Sequence, residues 1–202
     1  SGVQMGGWFN KEINSADDFK GLKMRMPGLG GQMITKLGAS VVGMPGGQIY
    51  ENLVNGTIDA CEWVGPWNDE KSRFYEAARY YYGPGYHEPG TLITLGCNKS
   101  WLTSLSKTDQ LIIESAATAQ NERMVTEYNA QNGAALKRLV NDHGVELREF
   151  SEEVVDAFAA ASEELYEELA EGDELTGRIV ESFKKARTDI GGWLNIADIG
   201  YS

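Results

Sequence analysis

Cysteine is scarce in this chain of 202 residues: Cys61 and Cys97 alone cannot make a disulfide framework, and no CxxC or Cys/His spacing suggests zinc. Two separate, half-buried thiols are expected. Basic side chains are also in short supply. Against 30 Asp and Glu stand 18 Lys and Arg, a net charge of -12. A nucleic-acid backbone or an anionic membrane would repel such a surface, so neither is an expected partner. Any anion bound by so acidic a protein has to meet a local cationic site. No apolar run is long enough to span a bilayer and no signal peptide is recognisable, so direct membrane insertion is not expected. Catalytic signatures are missing as well: there is no GxSxG elbow and no Cys/His pairing with a local motif. The glycine-rich "PGLGGQ" has neither a full GxGxxG nor the Lys-Ser/Thr of a phosphate loop, which argues against phosphate binding.

What is present is a globular composition, 42% hydrophobic, on a chain long enough to bury a core. It opens not on Met but on "SGVQMGGWF", which reads as a strand already under way and points to a mature, tagged or truncated product. Over residues 12–70 short strands and helices alternate. "NSADDFKG" is a short helix with an Asn/Ser cap, acids in its first turn and a closing glycine. "LKMRMPG" and "SVVGMPG" are strands ending at Pro-Gly, "GGQMITKLG" and "GGQIYENLVNG" are helices stopped by glycine, and "TIDACEWV" is a third strand. Two successive strand-to-helix units sharing Met-Pro-Gly and Gly-Gly-Gln predict a parallel βαβαβ sheet.

Further along, "PWNDEKSRFYEAARYYY" is expected to run as a helix from Pro66, a residue suited to a first helical position, with Tyr80, Tyr81 and Tyr82 as strand packing. "TLITLGCN" reads as a strand of the buried kind, and "VELREF" as a short one. A long helix is predicted over 108–141, where Leu111, Ile112, Ala116, Ala119, Met124, Tyr128, Ala135 and Leu139 recur at helical spacing before the stop at Gly144. "SEEVVDAFAAASEELYEELAE" is a helix behind a capping box, and "DELTGRIVESFKKARTDIGGWLN" is another. The order is α/β in the first half and mostly helical in the second: one lobe plus long helices that would clasp a second.

In an open parallel sheet, ligands bind beyond the carboxyl ends of the strands. That singles out Arg25, the loop 43–47 and the pair Glu62-Trp63. Arg25 stands between Met24 and Met26, a poor place for a solvated charge; its guanidinium suits either a carboxylate held bidentately or an internal salt bridge. Glu62, near two tryptophans, needs a cation. Arg25 is one candidate and a metal ion another, since Gln4, Glu62, Glu88 and the Trp63 carbonyl offer hard oxygen donors, although nothing in their spacing demands a metal. Trp63 reads equally as packing, and Trp67 reads as packing at a helix start. His87 lies beside Glu88 in "GYHEPG", and His143 falls at a helix C-terminus, where it suits the dipole. The charges of "SEELYEELAEGDEL" are a solvated helix face.

"DDFKGLKMRMPG", "LGASVVGMPGGQIYENLVNGTIDACEWVGPWND" and "YYYGPGYHEPG", in this order, resemble the extracytoplasmic solute-binding proteins of TRAP transporters, the DctP family. The Glu-Trp pair is similar to the subgroup that binds 2-oxo and 2-hydroxy monocarboxylates such as pyruvate and lactate. The resemblance covers essentially the whole chain. It implies an α/β, periplasmic-binding-protein-like fold of two hinged lobes, of which this chain carries the C-terminal lobe while the N-terminal lobe is largely missing. Residues 1–10 would be a hinge strand entering the lobe, 11–85 the ligand-binding βαβαβ lobe, and 86–202 a return hinge strand with long clasping helices. The implied function is that of a periplasmic receptor, not an enzyme, which delivers a small organic acid to TRAP membrane permease subunits. A homodimer is implied through a helix that follows the "GGWLNIAD" region. Arg25 would pair with the ligand carboxylate, bordered by Gln4 and Trp63. Gln4, Glu62, Trp63 and Glu88 would hold a sodium or calcium ion that bridges the ligand, and no organic cofactor is implied. Two other readings stay open: a metal-assisted enzyme on the same acids with His87 or Glu88 as general base, and a ligand sensor docked to a signalling partner.

Overall fold

Six strands form one sheet in the computed structural model, which describes residues 2–197, in the order β3-β2-β4-β1-β5-β6. They are β1 (Gly7–Phe9), β2 (Lys23–Arg25), β3 (Ser40–Val42), β4 (Ala60–Cys61), β5 (Tyr80–Gly83) and β6 (Glu146–Glu149). The expected βαβαβ unit is there. β2 lies between β3 and β4 and parallel to both, with α1 (Gly28–Lys36) and α2 (Ile49–Val54) as the crossovers. The sheet as a whole is mixed, because β1 runs antiparallel to β4 and β5 while β6 is parallel to β5.

Both faces of the centre are covered. Trp8 joins Ile49, Leu53, Ile58, Phe74, Tyr81 and Leu139 in one core. The next residue, Phe9, meets the rings of Phe19, Tyr82 and Phe150 at 6.4, 5.2 and 6.1 Å. Strands buried on two faces are written as unbroken apolar or aromatic runs, as "GWF" and "YYY" are, and each such wholly buried ring stabilises the fold by about 2 kcal/mol. Glycines permit the close layers. A Cβ on Gly31 of α1 would lie 2.4 Å from the Met26 carbonyl oxygen, whereas Gly28 has open space and a left-handed φ of 65°, so "GLGGQ" is glycine-rich for packing and for backbone conformation.

Several expectations are corrected. The helix from Pro66 is only α3 (Pro66–Lys71). Arg73 takes a left-handed φ of 58°, a short 3-10 turn follows over Phe74–Glu76, and Phe74 drops into the core ahead of the tyrosines of β5. The stretch 91–98 is not a strand; its one pairing is a bridge from Thr91 to Gly2, and Leu92, Ile93 and Leu95 are exposed. An apolar run becomes a buried strand only where a neighbour completes its ladder and a layer covers it, and the described residues offer neither.

After α4 (Lys99–Ser104), whose N-terminus Asn98 caps, α5 (Lys107–Asn141) runs for 35 residues, about 50 Å at the helical rise. Of its apolar positions only Ala135 and Leu139 are buried; Leu111 and Ile112 face outward. α6 (Glu152–Gly172) begins with half a capping box: Ser151 Oγ accepts the Val154 N–H at 3.4 Å, but valine at that third position cannot reach back. α7 (Glu174–Ala197) completes the described chain; the end of the "GGWLNIAD" region, with Tyr201 and Ser202, lies outside the described residues.

The chain divides into two compact units, Ser1–Val155 and Asp156–Ser202. The second is tied within itself by Glu163, which takes Lys184 at 3.0 Å and Arg187 at 2.5 Å, and by the Tyr166 and Phe183 rings at 5.3 Å. The cysteines are separate, as expected, but Cys61 is fully buried, and that burial pushes its thiol well above the ordinary range. Among the described residues no helix is long and apolar enough to cross a membrane.

Candidate functional site

The register of the parallel unit builds the site. Arg25, the last residue of β2, is paired with Val42 on one side and Cys61 on the other. The residue after Cys61 therefore continues the ladder past the strand end, and Glu62 N–H donates to the Arg25 carbonyl at 3.2 Å. There the Arg25 guanidinium meets the Glu62 carboxylate, Nη1 against Oε1, with side chains only 11% and 4% exposed. Arg25 also donates to two main-chain oxygens, Glu62 at 3.3 Å and Met44 at 3.5 Å. Its charge lies over the Trp63 ring, 5.3 Å from the centroid. Trp63 is seated in turn by Gly46, where a Cβ would come within 2.2 Å of the indole. The loop 43–47 thus enters the site as a wall, with the Met44 carbonyl and Gly46 as its contributions.

A second segment arrives from β5. Beyond Gly83-Pro84, a cis peptide, Gly85 N–H donates to the Gln4 carbonyl at 3.0 Å, which lays "GYHEPG" alongside the residues leading into β1. His87 Nε2 then stands 3.2 Å from Glu62 Oε2, and Gln4 Nε2 donates to Glu88 Oε2 at 3.4 Å. Met5 N–H donates to the Val64 carbonyl at 3.3 Å, tying the Gln4 segment to the loop after Glu62. Arg25, Glu62 and Trp63, with Gln4 and Glu88, are gathered in one place, and the structure adds His87.

The donor chemistry fits a hard cation. Glu62, His87 and Glu88 each present a ligand atom within 4.8 Å of the others. Gln4, buried, has its amide oxygen without a hydrogen-bond partner, as does His87 at Nδ1. Buried acceptors without donors are costly, and carboxylate plus amide oxygens are what sodium- or calcium-sized ions take.

Asp69 is the residue the sequence hid. It is 1% exposed, yet it takes four donors: Trp8 Nε1 and Tyr81 Oη on one oxygen, both at 2.9 Å, and the Val64 and Gly65 N–H groups on the other at 3.2 and 3.1 Å. Burial pushes its carboxyl up from 3.8 to about 6, against the downward pull of those hydrogen bonds. Read as an acid in the first turn of α3, it gives no hint of this. The available signal was Trp8, whose buried indole N–H has to find an acceptor. His87 was visible beside Glu88, but nothing local predicts its contact with Glu62, 25 residues earlier.

A sheet with its ion-pairing residues at the strand ends, met by the segment before β1 and the segment after β5, fits a lobe of a solute-binding protein. Residues 1–173 match the model of the DctP family, bacterial extracellular solute-binding proteins of family 7, and the chain belongs to that family. It is 43% identical over 201 residues to a monocarboxylate 2-oxoacid-binding periplasmic protein of a Nostoc species, covering 100% of this chain and 55% of that one. Two crystal structures are similar throughout. A TRAP periplasmic solute-binding protein from Colwellia psychrerythraea with bound calcium and pyruvate is 41% identical, with a TM-score of 0.91 over 99% of this chain and 61% of that one. One from Pseudoalteromonas atlantica with bound sodium and pyruvate is 38% identical, with a TM-score of 0.90 and the same coverage of 99% and 61%. This chain thus spans little more than half the length of these relatives.

Proposed function

We propose that this chain supplies the lobe that recognises the carboxylate and the metal ion in a periplasmic receptor for a small 2-oxo or 2-hydroxy monocarboxylate of the pyruvate or lactate kind. The receptor passes its ligand to the membrane permease subunits of a TRAP transporter. The observation that carries the reading is the buried Glu62 with the partly buried Arg25 and Trp63 at the ends of β2 and β4, within reach of Gln4 and Glu88. Arg25 takes the ligand carboxylate with its planar fork. Gln4, Glu62, Glu88 and the Trp63 carbonyl hold a sodium or calcium ion, and the Trp63 ring with Gln4 borders the ligand. Residues 1–10 and the irregular segment from 86 onward act as the hinge connections, and a second copy of the chain is a further partner. The ions and the acid bound by the relatives support this reading. It needs no bond-making step, and His87 Nε2, already engaged by Glu62, is assigned no role as a base.

The test is calorimetry on the full-length protein that carries this chain, titrated with pyruvate in calcium or sodium. Wild type is expected to bind. Arg25→Lys is expected to weaken binding about 100-fold, because a point charge does not reproduce the fork and one partner of a buried pair is altered. Wild-type affinity in Arg25→Ala overturns the assignment.

A further inference from the structure

We infer that Asp69 is a positioning residue for the ligand site: a single buried carboxylate to which all three chain segments that supply the site are tied, and which aims the Trp63 carbonyl. This rests on the receptor reading above and goes beyond it, since Asp69 is not among the groups assigned to the ion or to the acid.

The Trp63 carbonyl and the Val64 N–H are the two ends of one planar peptide unit, and in a trans peptide they point opposite ways. One oxygen of Asp69 accepts the Val64 N–H at 3.2 Å and the Gly65 N–H at 3.1 Å. The plane of that peptide is therefore fixed from the side of Asp69, and with it the direction in which the Trp63 oxygen is offered. The other carboxylate oxygen takes Trp8 Nε1 and Tyr81 Oη, both at 2.9 Å. Trp8 lies opposite Cys61 on one side and Tyr81 on the other, and its ring stacks on that of Tyr81 with centroids 4.1 Å apart. The Gln4 segment leads into β1, β4 leads into Glu62 and Trp63, and β5 leads towards Glu88. All three strands thus report to one side chain. A carboxylate that served the core alone would need only Trp8 and Tyr81; the two main-chain bonds reach into the turn of the site itself. Its frame is firm. Asp69 N–H donates to the Gly65 carbonyl at 2.9 Å, and α3 is pinned to α5, where Asn132 accepts the Trp67 N–H at 3.0 Å and Arg138 grips Glu70 at 2.7 and 2.6 Å.

Asp69→Asn keeps the shape and removes half of this clamp, because the amide has one acceptor oxygen and its NH2 group meets either the Trp8 donor or the main-chain donors. The full-length protein that carries this chain is titrated with pyruvate by calorimetry in calcium chloride and in sodium chloride, and amide exchange is followed in the ion-free protein, both well below the unfolding midpoint of every variant. Asp69→Asn is expected to bind about tenfold more weakly, the lower end for a group that orients a metal ligand, and to exchange its Val64 and Gly65 amides faster than wild type. Tyr81→Phe leaves the Trp8, Val64 and Gly65 donors in place and is expected to lose about threefold, the low end for one hydrogen bond. Val154→Ala, a truncation at a fully buried position of α6, is expected to lower the midpoint and leave affinity unchanged. Wild-type affinity in Asp69→Asn, or a loss no larger than that of Val154→Ala, overturns the positioning role and leaves the receptor reading intact. No pyruvate binding by wild type in either salt overturns both. Should Asp69→Asn fail to fold, Tyr81→Phe against Val154→Ala decides alone: equal affinities overturn the role.

Discussion

Glu62 and Asp69 are two buried carboxylates seven positions apart on one strand-to-helix connection, 3% and 1% exposed, and they are satisfied in opposite ways. Asp69 is surrounded by neutral donors, two side chains and two main-chain N–H groups, fixed by the sheet and by its own turn. Glu62 is met instead by the charged Arg25 and by the ring nitrogen of His87, beside acceptors that have no donor. A carboxylate wrapped in neutral hydrogen bonds is a piece of architecture. One balanced by an exchangeable charge is a site held ready. Burial alone does not separate the two; the chemistry of the partner does.

Removing each carboxylate breaks the comparison most directly. Asp69→Ala leaves four buried donors without an acceptor and is expected to cost about 3 to 5 kcal/mol in urea unfolding; a loss under about 1 kcal/mol would show that the donors find other partners. The pH response is next in size. Asp69 has a folded pKa of about 6 against an ordinary 3.8, so the folded state holds the proton more tightly. The stabilisation from this group is complete below 3.8 and is lost as pH rises through 6, about 3 kcal/mol in all. Asp69→Asn, measured over the same range, lacks that slope. Glu62→Gln takes the counter-ion from a largely buried guanidinium and is expected to cost about 2 to 3 kcal/mol even though the amide oxygen still accepts from Arg25, while removing the response to metal. No measurable loss would show that Arg25 does not depend on Glu62 for its charge balance. The smallest effect on folding and a clear one on binding is expected from Gly46→Ala, whose methyl pushes Trp63 out of place. Pyruvate affinity should fall about tenfold, the scale of a misfitted contact in a pocket, with little change in the unfolding midpoint.

The parallel unit was legible because its signals are local. Met-Pro-Gly ends two strands, Gly-Gly-Gln opens two helices, and a buried two-faced sheet writes apolar runs. Arg25, Glu62 and Trp63 were legible for the same reason, as charges and rings placed where strands end. Failures came where distant chain decides. The apolar run 91–98 had every mark of a buried strand except a partner. The helix from Pro66 stopped because Phe74 is claimed by a core made of residues as far apart as Trp8 and Leu139. The upstream heptads of α5 keep a helical period although only Ala135 and Leu139 are covered, since spacing fixes which residues share a face and says nothing of what lies against it. His87 and Asp69 act through contacts made across 25 and 61 positions, beyond any local pattern.

If the proposed receptor function holds, the mutual neutralisation of Arg25 and Glu62 also governs how fast a ligand is found. An exposed arginine would draw an anion inward through its field, but here that field is cancelled at source, and the chain as a whole has a net charge of -12. A free acid therefore approaches against repulsion, and its rate of capture rises with ionic strength as the repulsion is screened. The slope of the association rate against salt thus reports whether that repulsion is felt at the site.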